Sequence, residues 1–86
     1  MTFAQALALR IEHARLLHPK PAASEHEALA FLLEEVDELK AEIFRKNSNP
    51  AKVLSELLDV ATICQRFAEE VLFRKLNDLN LKEGVR

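Results

Sequence analysis

EEVDELKAEIFRKNSNPAKVLSELLD, residues Glu34–Asp59, decides how the whole chain is read. Glu35 and Glu38 stand three residues apart, as do Glu56 and Asp59, and the turn-forming run Asn47-Ser48-Asn49-Pro50 lies between the pairs. On a helix, residues three apart share a face. In two antiparallel helices joined at that turn, residues at equal height have a constant sum of position numbers. Glu35 with Asp59 and Glu38 with Glu56 satisfy one such sum, centred on Asn47. The spacing therefore predicts four carboxylates at one level of a helical hairpin. Like charges so placed raise one another's pKa and resist ionising unless a cation neutralises them. The hypothesis that follows is a Mg2+ site, with Mn2+ as the alternative ion. Hard divalent cations take oxygen ligands and keep waters and substrate phosphates in their shell. The competing reading is a solvated acidic face, which a helical protein rich in Glu presents by chance.

Outward from this stretch the chain continues to read as helix. Ser24 is placed to cap a helix running from Glu25 to about Lys46, and Glu27 at its third position completes a capping box. Leu29, Leu32, Val36, Leu39 and Ile43 form an apolar stripe expected to face a helical core. Glu35, Glu38 and Glu42 form a second stripe beside it, while Phe31 and Leu33 widen the apolar surface beyond what one partner helix needs. More than one neighbour is implied. Asn49 can cap the next helix, with Pro50 in its first turn. Its apolar residues, from Val53 through Cys64 to Leu72, run on without a breaker towards Leu79, as one helix or as two pieces bent between Phe67 and Phe73. Before the hairpin, Phe3, Leu7, Ile11 and Ala14 recur at helical spacing, with Arg10, Glu12 and Arg15 on other faces. His18-Pro19-Lys20-Pro21 ends that helix, because each proline lacks an amide donor and forces its predecessor out of helical geometry. The tail Lys82-Glu83-Gly84-Val85-Arg86 is expected to fray.

Composition bounds the function classes. The 86 residues make a single all-α domain, 1–86, since one Gly and three Pro leave little punctuation for a β fold. A chain of this length buries only about 60–65% of its unfolded surface, so the core of the expected antiparallel bundle is to be completed by oligomerisation. A net charge of −2 lacks the basic excess of a nucleic-acid binder, so no nucleic-acid partner is expected. The single Cys64 fits a reducing compartment and is read as an inert core residue. With neither a signal-peptide pattern nor a long apolar run, the expectation is a cytoplasmic protein without a membrane partner.

Glu34-Glu35-x-x-Glu38, then 17 residues, then Glu56-x-x-Asp59 resembles the EExxE…ExxD signature of the MazG-like all-α nucleoside triphosphate pyrophosphohydrolases. The lead-in Ser24-Glu25-His26-Glu27-Ala28 and the flanking leucines extend the likeness over about residues 18–72. The resemblance implies a homodimer or homotetramer that cleaves the α–β phosphoanhydride of a nucleoside triphosphate to a monophosphate and pyrophosphate. It makes Glu35, Glu38, Glu56 and Asp59 the metal ligands and Glu34, Glu35 and Glu38 the catalytic acids, with Glu34 orienting the attacking water. Asp37 and Leu58 stand where similar proteins commonly carry small residues. The lysine before the first motif and the histidine after the second, usual in phosphoribosyl-ATP pyrophosphohydrolases, are not matched, which disfavours that role.

Arg66, Lys75 and Asn77 are the candidate substrate-binding residues, reaching for phosphates after the second motif; for Arg66 a surface ion pair with Glu70 is the stronger expectation. Phe3, Phe31 and Phe67 have the shape to stack on a base, but core packing is the expected role of each. His13, His18 and His26 show no zinc-ligand spacing. The alternative to an enzyme is a non-catalytic helical module that oligomerises or binds nucleotides without cleaving them.

Overall fold

Local capping chemistry fixes where the helices begin. In the computed structural model, which describes residues 1–82 and side chains through residue 79, α1 spans Phe3–Leu17. The tail from residue 83 lies outside the described residues. The Thr2 hydroxyl accepts from the Gln5 amide at 3.2 Å, and the Gln5 side chain accepts from the Thr2 amide at 2.8 Å, closing a capping box that sequence reading did not anticipate. α2 spans Glu25–Ile43, with the Ser24 hydroxyl accepting from the Glu27 amide at 3.1 Å. Glu27 accepts from the Ala23 amide at 2.9 Å, so the reciprocal half of that box is displaced by one residue. α3 spans Pro50–Arg66 and starts as its sequence requires: the Asn49 side chain accepts from the Ala51 amide at 2.8 Å, and Pro50 occupies a position whose amide would have no helical partner.

α3 then passes through a π-helical segment, Phe67–Leu72, into α4, Phe73–Lys82. Sequence periodicity left a bend between Phe67 and Phe73 unresolved; the backbone instead widens there while the helix continues, a device that shifts the phase of later side chains. No strand occurs among the described residues, and no described helix is long and apolar enough to cross a membrane.

α2 and α3 form a helical hairpin, α1 packs on α3, and the π-helical segment also meets α2. A network at the far end joins α1 to that segment. Arg15 reaches Glu69 at 2.7 Å and Glu70 at 3.0 Å, and Arg66 holds Glu70 at 3.0 Å. Burial acts to raise the Glu70 carboxyl, but the bonds from Arg66 and Arg15 outweigh it and hold Glu70 below the usual carboxylate range.

The apolar core is thin. Among the described residues the buried apolar side chains are Ile11, Ala28, Leu58 and Val71, and no large side chain is completely enclosed. The radius of gyration is 15.6 Å, against about 12 Å for a compact domain of this length. The thin core reflects how α2 is turned. Leu32 and Leu39 are half-buried, but Leu29, Val36 and Ile43, expected to face the core, are exposed. The inward line of α2 is instead Ala28, Glu35 and Glu42, one residue every two turns. The small Ala28 and the carboxylates meet the neighbouring helix, leaving the bulky apolar positions turned outward. Cys64 and Phe3, expected in the core, are also exposed.

Candidate metal centre

Glu35 and Glu38 lie one turn apart on α2, and Glu56 faces them from α3. One carboxylate oxygen from each of the three lies within 4.8 Å of the others. A magnesium ion at 2.0–2.1 Å from its ligands spans oxygens up to roughly 4.2 Å apart, so small side-chain rotations close the group around one cation. Two of these carboxylates each have one oxygen, Glu35 Oε2 and Glu56 Oε2, buried without a hydrogen-bond partner among the described residues. A buried acceptor left unpaired costs free energy. The donor set is all oxygen and partly desolvated, the kind a hard divalent cation takes.

The electrostatics agree with the geometry. Burial, then the nearby charges of Glu38 and Asp59, push the Glu35 carboxyl up to about 7. Burial followed by Glu38 and Asp59 raises Glu56 in the same direction. Glu38 is the common neighbour of both. Glu42, a further member of the acidic stripe, is buried beside Glu56; its Oε2 pairs with Arg45 at 3.1 Å, while its Oε1 has no partner among the described residues.

Asp59, the fourth carboxylate that the residue spacing places at this level, is near enough to raise Glu35 and Glu56 but is not among the three that converge, and it carries its own counter-ion. Arg10, from α1, donates through Nη1 to Asp59 Oδ1 and to the Ser55 carbonyl at 3.1 Å, and through Nη2 to the Ser55 hydroxyl at 3.2 Å. Arg10 is the functional candidate that sequence reading missed. Its visible signal was slight, an arginine adjoining the core residue Ile11 in a chain whose clustered carboxylates call for a cation.

Of the three converging carboxylates, Glu35 lines a cleft of about 910 Å³, and Glu38 and Glu56 lie outside its lining. Glu34, Glu35, Asp59 and Arg10 line it, together with Phe31, Phe67, His13 and His18. No family model, curated protein or solved structure matches the chain.

The candidate substrate residues are placed differently from one another. Arg66 lines the cleft but is engaged: its Nε donates to both Glu70 oxygens at 3.0 and 3.1 Å, and Nη2 donates to the His18 carbonyl at 2.8 Å. The expected ion pair with Glu70 is thus present. Lys75 pairs with Glu25 at 2.8 Å, near the start of α2 and away from the carboxylates. Neither Lys75 nor Asn77 lines the cleft. Glu34 does, and it is exposed, while within the motifs Leu58 is buried and Asp37 exposed. Phe31 is exposed at the cleft and Phe67 half-buried there, so neither is a core side chain of the kind expected.

Proposed function

We propose that this chain is a magnesium-dependent nucleotide pyrophosphohydrolase, acting on the α–β phosphoanhydride of a nucleoside triphosphate. The observation that carries this reading is the convergence of Glu35, Glu38 and Glu56, two of them with orphaned buried oxygens, next to a cleft large enough for a nucleotide whose wall includes Glu35. The α–β position and the MazG-like affiliation rest on the signature that Glu34–Glu38 and Glu56–Asp59 share with that superfamily.

In this reading Glu35, Glu38 and Glu56 would hold the cation, with Asp59, now paired with Arg10, as a further ligand. Magnesium, when bound, supplies charge neutralisation to the phosphates and acidifies water for attack. Glu34 orients that water and receives a proton as oxygen adds to the α-phosphorus. The bridging P–O bond then breaks, and its electron pair departs on pyrophosphate. Phe31 and Phe67, which line the same cleft, exclude water and offer faces for a base. The exposed apolar surfaces of α2, including Leu29, Leu33 and Ile43, are covered in a homodimer or homotetramer.

One observation favours the second reading, a nucleotide-binding or oligomerisation module without hydrolysis: Asp59 is already neutralised by Arg10. Pyrophosphate release from a panel of ribo- and deoxyribonucleoside triphosphates, with Mg2+, Mn2+ or chelator, separates the two. Metal-dependent release that is lost in Glu38→Gln supports the enzyme; silence across the panel from folded, oligomeric protein supports the module.

A further inference from the structure

We infer that Arg10 is a phosphate-binding residue held in reserve by Asp59, and that the cation which takes Asp59 turns the guanidinium to the substrate. The inference rests on the metal-site reading above and assigns a residue that the carboxylate signature does not contain.

Two arginines line the cleft among the described residues, and their partners distinguish them. Arg66 is bound by Glu70 and by main-chain carbonyls, none of which belongs to the cluster. Loading a metal leaves those bonds untouched. Arg10 is different, because its anionic partner is itself one of the four motif carboxylates. A divalent cation bonded directly to Asp59 carries twice the charge of a guanidinium and withdraws the carboxylate from it. Arg10 then loses its ionic partner at the moment the site gains a metal.

Ser55 determines where the freed group goes. Its carbonyl and hydroxyl accept from Nη1 and Nη2, so two neutral hydrogen bonds still tether the guanidinium beside the cluster once Asp59 has left it. A guanidinium has five N–H donors. Two remain on Ser55, which leaves three for a ligand in the cleft that Arg10 lines together with Glu34 and Glu35. A planar fork of donors next to a bound divalent ion suits a polyphosphate chain, whose oxygens it can take two at a time. Asp59 and Ser55 thus hold Arg10 in place before substrate arrives, one through charge and one through tether.

The test reads metal and phosphate separately, using Mn2+ alone by electron paramagnetic resonance and inorganic triphosphate at saturating Mg2+ by calorimetry. Inorganic triphosphate carries no base, so it reports phosphate binding irrespective of nucleotide preference. In Arg10→Gln, Mn2+ is expected to bind several-fold more tightly, because a competing cation is gone, while triphosphate binds at least about tenfold more weakly. These opposite signs are the signature. A purely structural arginine would weaken both or change neither, and either result overturns the inference. Arg10→Lys keeps the charge without the fork and is expected to recover part of the triphosphate affinity; full loss in that variant, with the fold intact, also overturns it. Should Arg10→Gln fail to fold, the wild-type protein decides: the Arg10 Nε–H resonance is expected to move on Mg2+ addition and again on triphosphate, and a resonance unmoved by Mg2+ overturns the proposal. Failure of the underlying metal reading shows itself earlier and separately, as wild-type protein that binds no Mn2+.

Discussion

Arg10 and Asp59, 49 residues apart in sequence, meet side chain to side chain at the junction of α1 and α3. Both are partly exposed, at 28% and 33% of the side chain, yet the pair stands beside carboxylates that would otherwise repel Asp59. Replacing Arg10 by Ala in chelator should lower stability by about 1.5–3 kcal/mol, the range for a hydrogen bond to a charged group. Asp59→Asn added to it should recover part of that loss. Urea denaturation of both single variants and the double variant measures the coupling, and strict additivity would show that Arg10 and Asp59 do not stabilise one another.

Glu38 adjoins both Glu35 and Glu56, so its charge opposes ionisation of each. Glu38→Gln should therefore raise the melting temperature of the metal-free protein while lowering metal-dependent hydrolysis by roughly 100-fold or more. Calorimetry and pyrophosphate release check the two halves independently. Hydrolysis at the wild-type rate in this variant would remove Glu38 from the site.

The pH dependence of the metal-free fold follows from Glu35. Its folded pKa, about 7, lies above the ordinary glutamate value, so the folded chain keeps a proton that the unfolded chain has already lost. Stability is then greatest at low pH and declines as pH rises towards 7. Glu56 is raised in the same direction. Glu70 and Glu25 are lowered, so their contributions are lost below the usual carboxylate range and leave the window between about pH 5 and 8 to the cluster. Thermal melts in chelator should show a Tm several degrees higher near pH 5.5 than near pH 8, with the slope flattened in Glu35→Gln.

A cation that binds only the folded cluster should stabilise it by mass action, by about 2.7 kcal/mol at a concentration 100 times its Kd. Magnesium should therefore raise Tm at pH 8, and the gain should vanish in Glu56→Ala. A magnesium effect of equal size in that variant would place the ion elsewhere.

Leu33 and Ile43 expose about half of their surface, 53% and 50%. If α2 is covered by another copy of the chain, Leu33→Glu and Ile43→Glu should each lower the mass measured by light scattering and make the protein less stable at dilution. A monomeric wild type at high micromolar concentration would oppose the oligomer.

Much of the fold was legible because its causes are local. Ser24, Asn49 and Pro50 mark helix starts through bonds to amides two or three residues away, and His18-Pro19 ends α1 through the geometry of proline itself. The carboxylate spacing was legible for the same reason, since helical pitch puts Glu35 near Glu38 whatever surrounds them. How Glu56 is brought to them depends on a short hairpin, where chain connectivity constrains the pairing. The rotation of α2 was hidden. Hydrophobicity predicts which residues share a face, but Ala28, Glu35 and Glu42 turn inward, and Leu29, Val36 and Ile43 outward, through packing between helices. The same holds for Cys64, which shares an apolar stripe with Leu57 and Val60 yet is left exposed.

By itself, then, the sequence determined that the chain is helical, where its helices start, and which carboxylates lie one turn apart, because these follow from interactions spanning a few residues. Only the tertiary structure decided that Asp59 is held by Arg10, that Arg66 is occupied by Glu70, and that bulky apolar side chains of α2 stay exposed. Those outcomes depend on the distance and rotation between helices far apart in sequence, and no local periodicity encodes either quantity.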